Sequence, residues 1–166
     1  MKQVTAVCPG SFDPVTVGHL DIIERASKLF ERVVVVVMVN PQKRYSFSVE
    51  ERVNMLRVAT QHIPGVEIDS YDGLLSAYAA KVGAGAIVKG LRAVSDFEYE
   101  FQMAMTNKKL NPVPETVFLT TSEKNLYLSS SVVKEVARHG GDITDFVPEC
   151  IKNQIEERLK RKDVQI

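Results

Sequence analysis

The sequence has no excess of either charge. Lys and Arg together number 21, as do Asp and Glu, so the formal net charge at pH 7 is zero. Proteins that bind nucleic acids usually carry a basic excess, so this balance argues against DNA or RNA as a partner. It leaves small anionic ligands open, because a few local cations are enough to bind them.

Cysteine and long apolar runs are also scarce. Cys8 and Cys150 are well separated, which does not suit a disulfide framework or a metal cluster, and we expect both to be buried as small apolar side chains. No apolar run approaches the roughly 18 residues of a membrane-spanning helix. Met1 to Val4 lead into a strand-like segment without the apolar stretch of a signal peptide. We therefore expect a cytoplasmic protein without a membrane partner.

Short apolar runs alternate with amphipathic segments along the chain. Hydrophobic residues make up 45% of the 166 residues, which is typical of a globular domain with a core. Residues 33–39 are valine except for Met38, which fits a strand buried on both faces of a parallel sheet. Ser48 and Ser95 each begin a capping-box pattern that predicts a helix start. The predicted strands are 4–8, 33–39, 66–71, 86–88 and 116–119. The predicted helices are 20–30, 48–63, 74–82, one from 95, 131–139 and one from about 148.

This alternation predicts an α/β fold: a Rossmann-like, doubly wound, parallel five-stranded sheet with helices on both faces. No linker, low-complexity tract or repeat divides the chain, so residues 1–166 are expected to form a single domain with a C-terminal helix from about 148. Ligands of such folds bind beyond the carboxyl ends of the strands. The candidate site loops are 9–18, 40–47, 72–75, 89–95 and 120–130.

The loop after the first strand carries the most informative motif. It reads Pro-Gly-Ser-Phe-Asp-Pro-Val-Thr-Val-Gly-His over residues 9–19. Gly18 would let a ligand approach the backbone closely, and His19 would lie in the first turn of a helix. Free N–H groups at a helix N-terminus attract phosphate, and an imidazole there can donate a further hydrogen bond. The loop therefore indicates a phosphate-binding site.

Two motifs resemble the nucleotidyltransferase superfamily related to class I aminoacyl-tRNA synthetases. Thr16-Val17-Gly18-His19 matches its [T/H]-x-G-H motif. Residues 128–134, Leu-Ser-Ser-Ser-Val-Val-Lys, resemble its I-S-S-S-x-x-[R/K] motif, with Leu in place of Ile. Taken alone, the second motif could be a serine-rich helix cap. Together the motifs indicate phosphate binding at two helix starts.

A third stretch narrows the resemblance to the phosphopantetheine adenylyltransferase family. Residues 90–100 are similar to its G-L-R-A-x-x-D-[F/Y]-E-x-E stretch, residues 9–14 to its opening loop, and residues 48–52 to its F-[S/T]-x-E-E-R segment. The resemblance runs in order from about residue 4 to residue 148. It implies transfer of the adenylyl group of ATP to 4′-phosphopantetheine, giving dephospho-coenzyme A and pyrophosphate in coenzyme A biosynthesis.

The resemblance also implies roles for individual residues. The catalytic group would be His19, Lys43 and Arg92, with His19 holding the phosphates in the transition state. Contacts to ATP would come from Ser11, Phe12, His19, Gly90, Leu91, Arg92, Glu100, Asn125, Leu126, Tyr127, Leu128, Ser129, Ser130 and Ser131. Contacts to phosphopantetheine would come from Ser11, Lys43, Leu75 and Lys89. Lys89 stands where the family usually has Arg.

The family further implies Mg²⁺ as the companion of ATP, held mainly by phosphate oxygens, with no dedicated metal ligands in the protein. It implies a homohexamer, and coenzyme A as a feedback inhibitor. Direct attack by the acceptor phosphate requires no protein nucleophile, which suits a site built of cations, hydroxyls and helix N-termini.

Other interpretations stay open at this point. A cytidylyltransferase or a nicotinamide mononucleotide adenylyltransferase would share the first two motifs, but residues 90–100 argue against both. A nucleotide-binding regulatory module that has lost catalysis would not need the intact His19, Lys43, Arg92 and Ser129–Ser131. Individually, Lys43 could be a solvated loop cation, Arg92 and Glu100 a helix-face pair, and Leu75 a core residue. No motif includes His62 or His139, which we interpret as structural.

Overall fold

The computed structural model describes residues 4–160, and strands and helices alternate through them. The strands are β1 (Thr5–Gly10), β2 (Arg32–Val39), β3 (Val66–Asp72), β4 (Ala86–Leu91) and β5 (Glu115–Thr120). The helices are α1 (Val17–Leu29), α2 (Val49–Thr60), α3 (Leu75–Lys81), α4 (Val94–Leu110), α5 (Ser130–Arg138) and α6 (Glu149–Leu159), with a short 3₁₀ turn at Glu123–Asn125. The termini of the predicted 1–166 domain lie outside the described residues.

The five strands form one parallel sheet in the order β3-β2-β1-β4-β5. From β1 the chain winds outward through β2 and β3, and then crosses back to β4 and β5 on the other side. This is the doubly wound arrangement that the sequence predicts. Its strand order reverses between β1 and β4, which is where such sheets bind their ligands.

The valine-rich strand β2 is buried on both faces, as its sequence predicts. Val33, Val35 and Val37 pack in the larger core cluster, which also includes residues of α1, α2, α5 and α6. Val34 and Val36 pack on the opposite face with Tyr78 and Ala79 of α3. Because successive side chains point to opposite faces, an all-valine run supplies both cores at once.

Three predictions about local structure need correction. Strand β4 continues to Leu91 instead of ending at Val88, because its pairing with β5 extends to Leu91–Thr120. Helix α4 begins at Val94 with Ala93 as its N-cap, so Ser95 lies inside the helix and the predicted second capping box is wrong. Cys8 is buried as expected, but Cys150 is exposed.

The exposure of Cys150 follows from the face of α6 that packs on the core. Ile151, Ile155 and Leu159 recur at helical spacing and are all buried, whereas Cys150 precedes this row. In residues 4–160, no helix has both the length and the apolar character required to cross a membrane.

Candidate active site

A cavity of about 500 Å³ lies beyond the carboxyl ends of β1 and β4, between the N-termini of α1 and α5. It is thus at the point where the strand order reverses. It brings together predicted site residues from three of the predicted loops and from the helices α1 and α4 that follow two of them: Ser11, Phe12, His19, Lys89, Gly90, Arg92, Glu100, Asn125, Leu128, Ser129 and Ser130. These residues span more than a hundred positions in the chain and meet because the two strands are neighbours.

The Thr16-Val17-Gly18-His19 motif is a helix-capping structure as well as a cavity wall. Thr16 is the N-cap of α1, and its Oγ1 accepts a hydrogen bond from the His19 N–H at 3.2 Å. In return, the His19 ring accepts the Thr16 N–H at Nδ1, 3.0 Å away. A capping box usually has Glu or Gln at this position, so here the imidazole replaces the carboxyl or amide group.

The capping bond fixes the chemical state of His19. Since Nδ1 accepts the Thr16 N–H, the neutral ring carries its proton on Nε2. The pKa of His19 is lowered to about 4, first by burial and then by the positive charges of Arg92 and Lys89. His19 is therefore a neutral donor at pH 7, which suits hydrogen bonding to a phosphate but not proton transfer from an imidazolium.

The opening loop holds Phe12 in an unusual backbone conformation. Its φ angle is +48°, a left-handed value that non-glycine residues seldom adopt. The ring is buried and contacts the His19 ring edge-on, with centroids 5.1 Å apart. It also occupies the space of a side chain at Gly10, where a Cβ would lie 2.9 Å from the ring. Phe12 thus fixes one side of the His19 ring.

Asp13, the next residue of the same loop, fixes this loop to two other segments of the chain. Its buried carboxylate accepts the N–H groups of Ser46 and Phe47 and forms an ion pair with Lys134 at 2.9 Å. Lys134, the last residue of the serine motif, does not line the cavity. It ties α5 to the opening loop, so a largely buried ion pair joins the serine motif to the segment that precedes the Thr16–His19 motif.

Two serines of the second motif make hydrogen bonds within the protein. Ser129 is the N-cap of α5 and its Oγ accepts the Val132 N–H, while the Ser130 hydroxyl donates to the carbonyl of Pro14 at 2.7 Å. Both still line the cavity. Two helix N-termini, with their partial positive charge and unbonded N–H groups, therefore face the same space.

Each cation of the cavity is matched to a carboxylate. Lys89 pairs with Glu100 at 3.1 Å, and Arg92 pairs with Asp96 at 3.1 Å while donating to the carbonyl of Leu128 at 2.8 Å. The possible Arg92–Glu100 pair is therefore wrong. Anionic phosphates entering the cavity would meet two cations whose carboxylate partners are only partly buried.

A smaller pocket of about 90 Å³ opens beside the main cavity. Leu75 lines this pocket, together with Lys89, Tyr99 and Glu100, which line the main cavity as well. Lys89 therefore lies at the junction of the two spaces.

Five of the predicted site residues line neither the cavity nor the smaller pocket: Lys43, Leu91, Leu126, Tyr127 and Ser131. Lys43 lies in the exposed loop after β2. Leu126 and Tyr127 are exposed, and the Tyr127 ring packs against Phe146 with centroids 6.0 Å apart. The proposed roles of these residues remain predictions.

Sequence reasoning assigned no role to four polar residues of the cavity wall: Thr16, Asp96, Tyr99 and Thr121. Thr16, Asp96 and Tyr99 lie within the recognised motifs, Tyr99 at a variable position. The spacing of Asp96, four residues after Arg92, is the signal that could have identified their ion pair. Tyr99 follows one helical turn after Asp96, whereas Thr121 directly follows the end of β5 and carries no local signal.

Among the described residues, no cluster of three or more His, Cys, Asp or Glu side chains is arranged to hold a metal ion. The carboxylates of Asp96 and Glu100 are engaged with Arg92 and Lys89.

The chain is similar to known nucleotidyltransferases in sequence and structure. The profile of the cytidylyltransferase-like family matches residues 7–136. Phosphopantetheine adenylyltransferase of Caldanaerobacter subterraneus is 57% identical over 94% of this chain and 98% of its own length. The enzyme of the same name from Desulfatibacillum aliphaticivorans is 53% identical, over 94% and 89%.

A solved structure shows the same fold at low sequence identity. It is a Vibrio parahaemolyticus protein assigned as a nicotinate-nucleotide adenylyltransferase. The two chains superpose with a TM-score of 0.72 at 16% identity, covering 93% of this chain and 99% of that one. At this identity the comparison supports the fold alone.

Proposed function

The chain belongs to the phosphopantetheine adenylyltransferase family, and from this membership and the cavity we propose that it transfers the adenylyl group of ATP to 4′-phosphopantetheine. The products are dephospho-coenzyme A and pyrophosphate. The observation that carries the proposal is the convergence of His19, Lys89 and Arg92 with two helix N-termini around one cavity. All of these groups stabilise negative charge.

The reaction needs no covalent enzyme intermediate. An oxygen of the acceptor phosphate forms the new bond to the α-phosphorus of ATP, and the bond from that phosphorus to the bridging oxygen of pyrophosphate breaks. The protein aligns two anions and stabilises the charge that accumulates on the transferring group. In this proposal the Nε2–H of neutral His19 donates to the α-phosphate, and Arg92 adds positive charge in the same cavity.

Lys89 is proposed to hold the acceptor phosphate, with the pantetheine arm extending toward Leu75 in the adjoining pocket. Lys43 lies outside the cavity wall in this structure. Its proposed role therefore requires the exposed loop after β2 to move toward bound phosphates.

Mg²⁺ is proposed to accompany ATP. When bound, it would neutralise phosphate charge, and the side chains of the cavity would bind and orient the substrates around it. The residues present fit this arrangement, because the polar wall offers cations and N–H donors to phosphate oxygens and no set of free carboxylates to a metal.

Pyrophosphate release is the decisive test of the proposed reaction. ATP and phosphopantetheine together should release pyrophosphate and yield dephospho-coenzyme A, whereas CTP should be a far poorer donor. Robust release from CTP with a sugar or choline phosphate, and none with phosphopantetheine, would contradict the proposal. Nucleotide binding without turnover of any acceptor would instead indicate a regulatory module.

Three further proposals concern the context of the enzyme. A homohexamer is the assembly that the family resemblance implies, and association of copies is supported by an apolar face of α4, on which Phe97, Phe101 and Met105 are all exposed. Feedback inhibition by coenzyme A is supported by its chemistry, because coenzyme A contains both the adenylyl and the phosphopantetheine parts of the product.

A cytoplasmic location is supported by the ATP dependence of the reaction and by the two unpaired cysteines, Cys8 and Cys150. Sedimentation, inhibition kinetics and cell fractionation test these in turn.

A further inference from the structure

The arginine that ends the F-[S/T]-x-E-E-R segment, Arg52, is not among the groups proposed to contact the substrates. Arg52 lies on α2 and does not line the cavity, yet its side chain is 1% exposed. In the part of the chain that the structure describes, no carboxylate lies within 4 Å of its guanidinium nitrogens. A buried cation without an anionic partner is costly, so what it contacts is informative.

Arg52 is held by two carbonyl groups and one ring. Its Nη1 donates to the carbonyl of Ser11 at 2.8 Å, and its Nε donates to the carbonyl of Ser48 at 3.3 Å. The guanidinium stacks on Tyr45, 4.0 Å from the ring centroid. The Ser11 contact joins residues 41 positions apart and reaches the opening loop of the site directly.

The bond to Ser11 determines the orientation of one peptide group. In a trans peptide, the carbonyl and the following N–H point in opposite directions. Arg52 does not line the cavity, whereas Ser11 and Phe12 do. Because the Ser11 carbonyl is bonded to Arg52, the Phe12 N–H points away from Arg52, on the opposite side of the peptide. Among residues 4–160 no backbone carbonyl accepts this N–H. Phe12 has the left-handed φ of +48°, and such strained residues persist where their surroundings fix them.

We propose that Arg52 is a positioning residue for adenylyl transfer, which holds the Ser11–Phe12 peptide so that the Phe12 N–H donates to a non-bridging oxygen of the α-phosphate. The inference rests on the proposed function. Its partner donor is the Nε2–H of His19, whose ring touches the Phe12 ring. The two donors would approach the reacting phosphate from adjacent sides, and Arg52 keeps one of them from rotating as charge develops.

The test replaces Arg52 with Met, which keeps the volume and removes the charge and the donors. Exchange of a buried charge for an apolar side chain is often tolerated in folding. We expect kcat to fall by at least about 10-fold, with the KM for ATP changed by no more than about 3-fold, since the lost donor acts mainly in the transition state. Arg52→Lys, which can still donate to the Ser11 carbonyl, should recover part of kcat.

The discriminating readout uses the two diastereomers of ATPαS, in which sulfur replaces one or the other non-bridging α-oxygen. If the Phe12 N–H contacts one of these oxygens, the wild type should prefer one diastereomer. Arg52→Met should reduce that preference by at least about 5-fold, because the donor is no longer fixed. A role of Arg52 in folding alone would not change this ratio.

Two variants on the same helix serve as controls. Arg57→Met makes the same chemical change at an exposed position of α2 and should leave kcat and the diastereomer ratio unchanged. Met55→Ala loosens the buried face of α2 and should lower Tm without changing the ratio. The proposal is overturned if Arg52→Met keeps the wild-type kcat and ratio, or if it loses kcat only as Met55→Ala does. A wild type inactive with ATP and phosphopantetheine would instead contradict the proposed function.

Discussion

His19 caps helix α1 through Nδ1 and presents Nε2–H to the cavity, so substitutions can separate the two roles. In His19→Asn, the side-chain oxygen can still accept the Thr16 N–H, but nothing reaches the former position of Nε2. We expect turnover to fall by at least roughly 10²-fold, the scale for losing one preorganised donor, with a much smaller change in ATP affinity. Steady-state kinetics together with ATP titration measure both.

His19→Ala provides the comparison, because it removes the cap as well. It should lose turnover to a similar degree and also lower Tm, since a missing cap interaction costs about 1 kcal/mol. Near-normal turnover in either variant, with weakened ATP binding as the main effect, would show that His19 binds substrate without stabilising the transition state.

The lowered pKa of His19 predicts a specific dependence of stability on pH. The folded protein keeps this ring neutral down to a pKa of about 4, whereas the unfolded chain binds a proton near pH 6.5. Between these values the unfolded state therefore holds more protons at this site, so the free energy of unfolding falls as pH decreases from 6.5 toward 4.

Urea unfolding of the wild type and of His19→Asn at several pH values isolates this contribution. The wild type should lose more stability than the variant between pH 6.5 and pH 4, and the two curves should run parallel above pH 7. Parallel curves throughout would mean that His19 titrates normally in the folded protein. The nitrogen chemical shifts of the His19 ring would confirm or contradict the Nε2–H tautomer independently.

Lys89 stands at the junction of the two cavities, where the family usually has Arg. Lys89→Ala should raise the KM for phosphopantetheine strongly and leave ATP binding nearly intact, because only the acceptor phosphate loses its cation. Lys89→Arg should preserve activity or lower that KM, since a guanidinium can bind phosphate in a bidentate manner. Initial-rate kinetics with each substrate varied in turn provide the measurement.

Lys108→Ala is the matched control for Lys89, because Lys108 is paired with Glu115 and lines neither cavity. Unchanged phosphopantetheine kinetics in Lys89→Ala would show that Lys89 does not bind the acceptor phosphate. Lys43 would then be the alternative cation.

At individual residues, the sequence predicted what motifs encode locally and missed what depends on distance in the chain. The T-x-G-H motif located His19 at a helix start, because a cap is a four-residue structure. The Lys89–Glu100 and Lys134–Asp13 pairs were not predictable, because their members lie on different elements. The contact of Arg52 with Ser11 was equally hidden, although the motif containing Arg52 was recognised.

Gly18 lies in helix α1, although neither its backbone conformation nor its surroundings require a glycine. A Cβ at Gly18 would meet Thr16, Asn125 and Leu128 at 3.5–3.8 Å, which is ordinary contact, and its φ is not left-handed. Ala in a helix is more favourable than Gly by about 0.5–1 kcal/mol. Gly18→Ala should therefore raise Tm or leave it unchanged.

The same substitution should impair the site, because Gly18 lines the cavity beside His19 and an added methyl group occupies space close to the phosphates. We expect ATP to bind at least about 10-fold more weakly, the scale of one misplaced phosphate contact. Calorimetric titration and thermal unfolding measure the two effects. Unimpaired ATP binding in Gly18→Ala would show that the ligand does not approach this backbone.

Among the elements, type and order were predictable and boundaries less so. β2 was predicted closely because valine on both faces has one explanation, a doubly buried strand. The end of β4 was missed because Lys89, Gly90 and Leu91 read as a loop, and only the ladder to β5 shows that they pair. The start of α4 was misplaced because a capping-box pattern in sequence does not require the cap to form.

At the scale of the molecule, one feature of the topology assembles the site. The sheet reverses its order between β1 and β4, and the crossing separates α1 from the helices that follow β4. The space left at the carboxyl ends receives the N-termini of α1 and α5, so both superfamily motifs face one cavity. The fold therefore provides a positively polarised cavity in a chain whose net charge is zero.

The molecule also exposes an apolar face that the site does not use. On α4, Phe101 and Met105 are 50% and 56% exposed, and together with Leu110 they line a shallow groove of about 550 Å³. Single exposed apolar side chains are common, but a row of them on one helix marks a contact surface. We expect copies of this chain to associate through it.

Met105→Glu tests this association, because a carboxylate in an apolar interface is destabilising unless it is paired. In sedimentation equilibrium, the wild type should have six times the mass of the 18.5 kDa chain, and the variant should shift to smaller species. Leu29→Glu makes a comparable change at a side chain that is 64% exposed on α1, and it should leave the mass unchanged. If the Met105→Glu variant remained hexameric, the subunit interface would have to lie on another surface. If the wild type were monomeric, the proposed hexamer would be wrong.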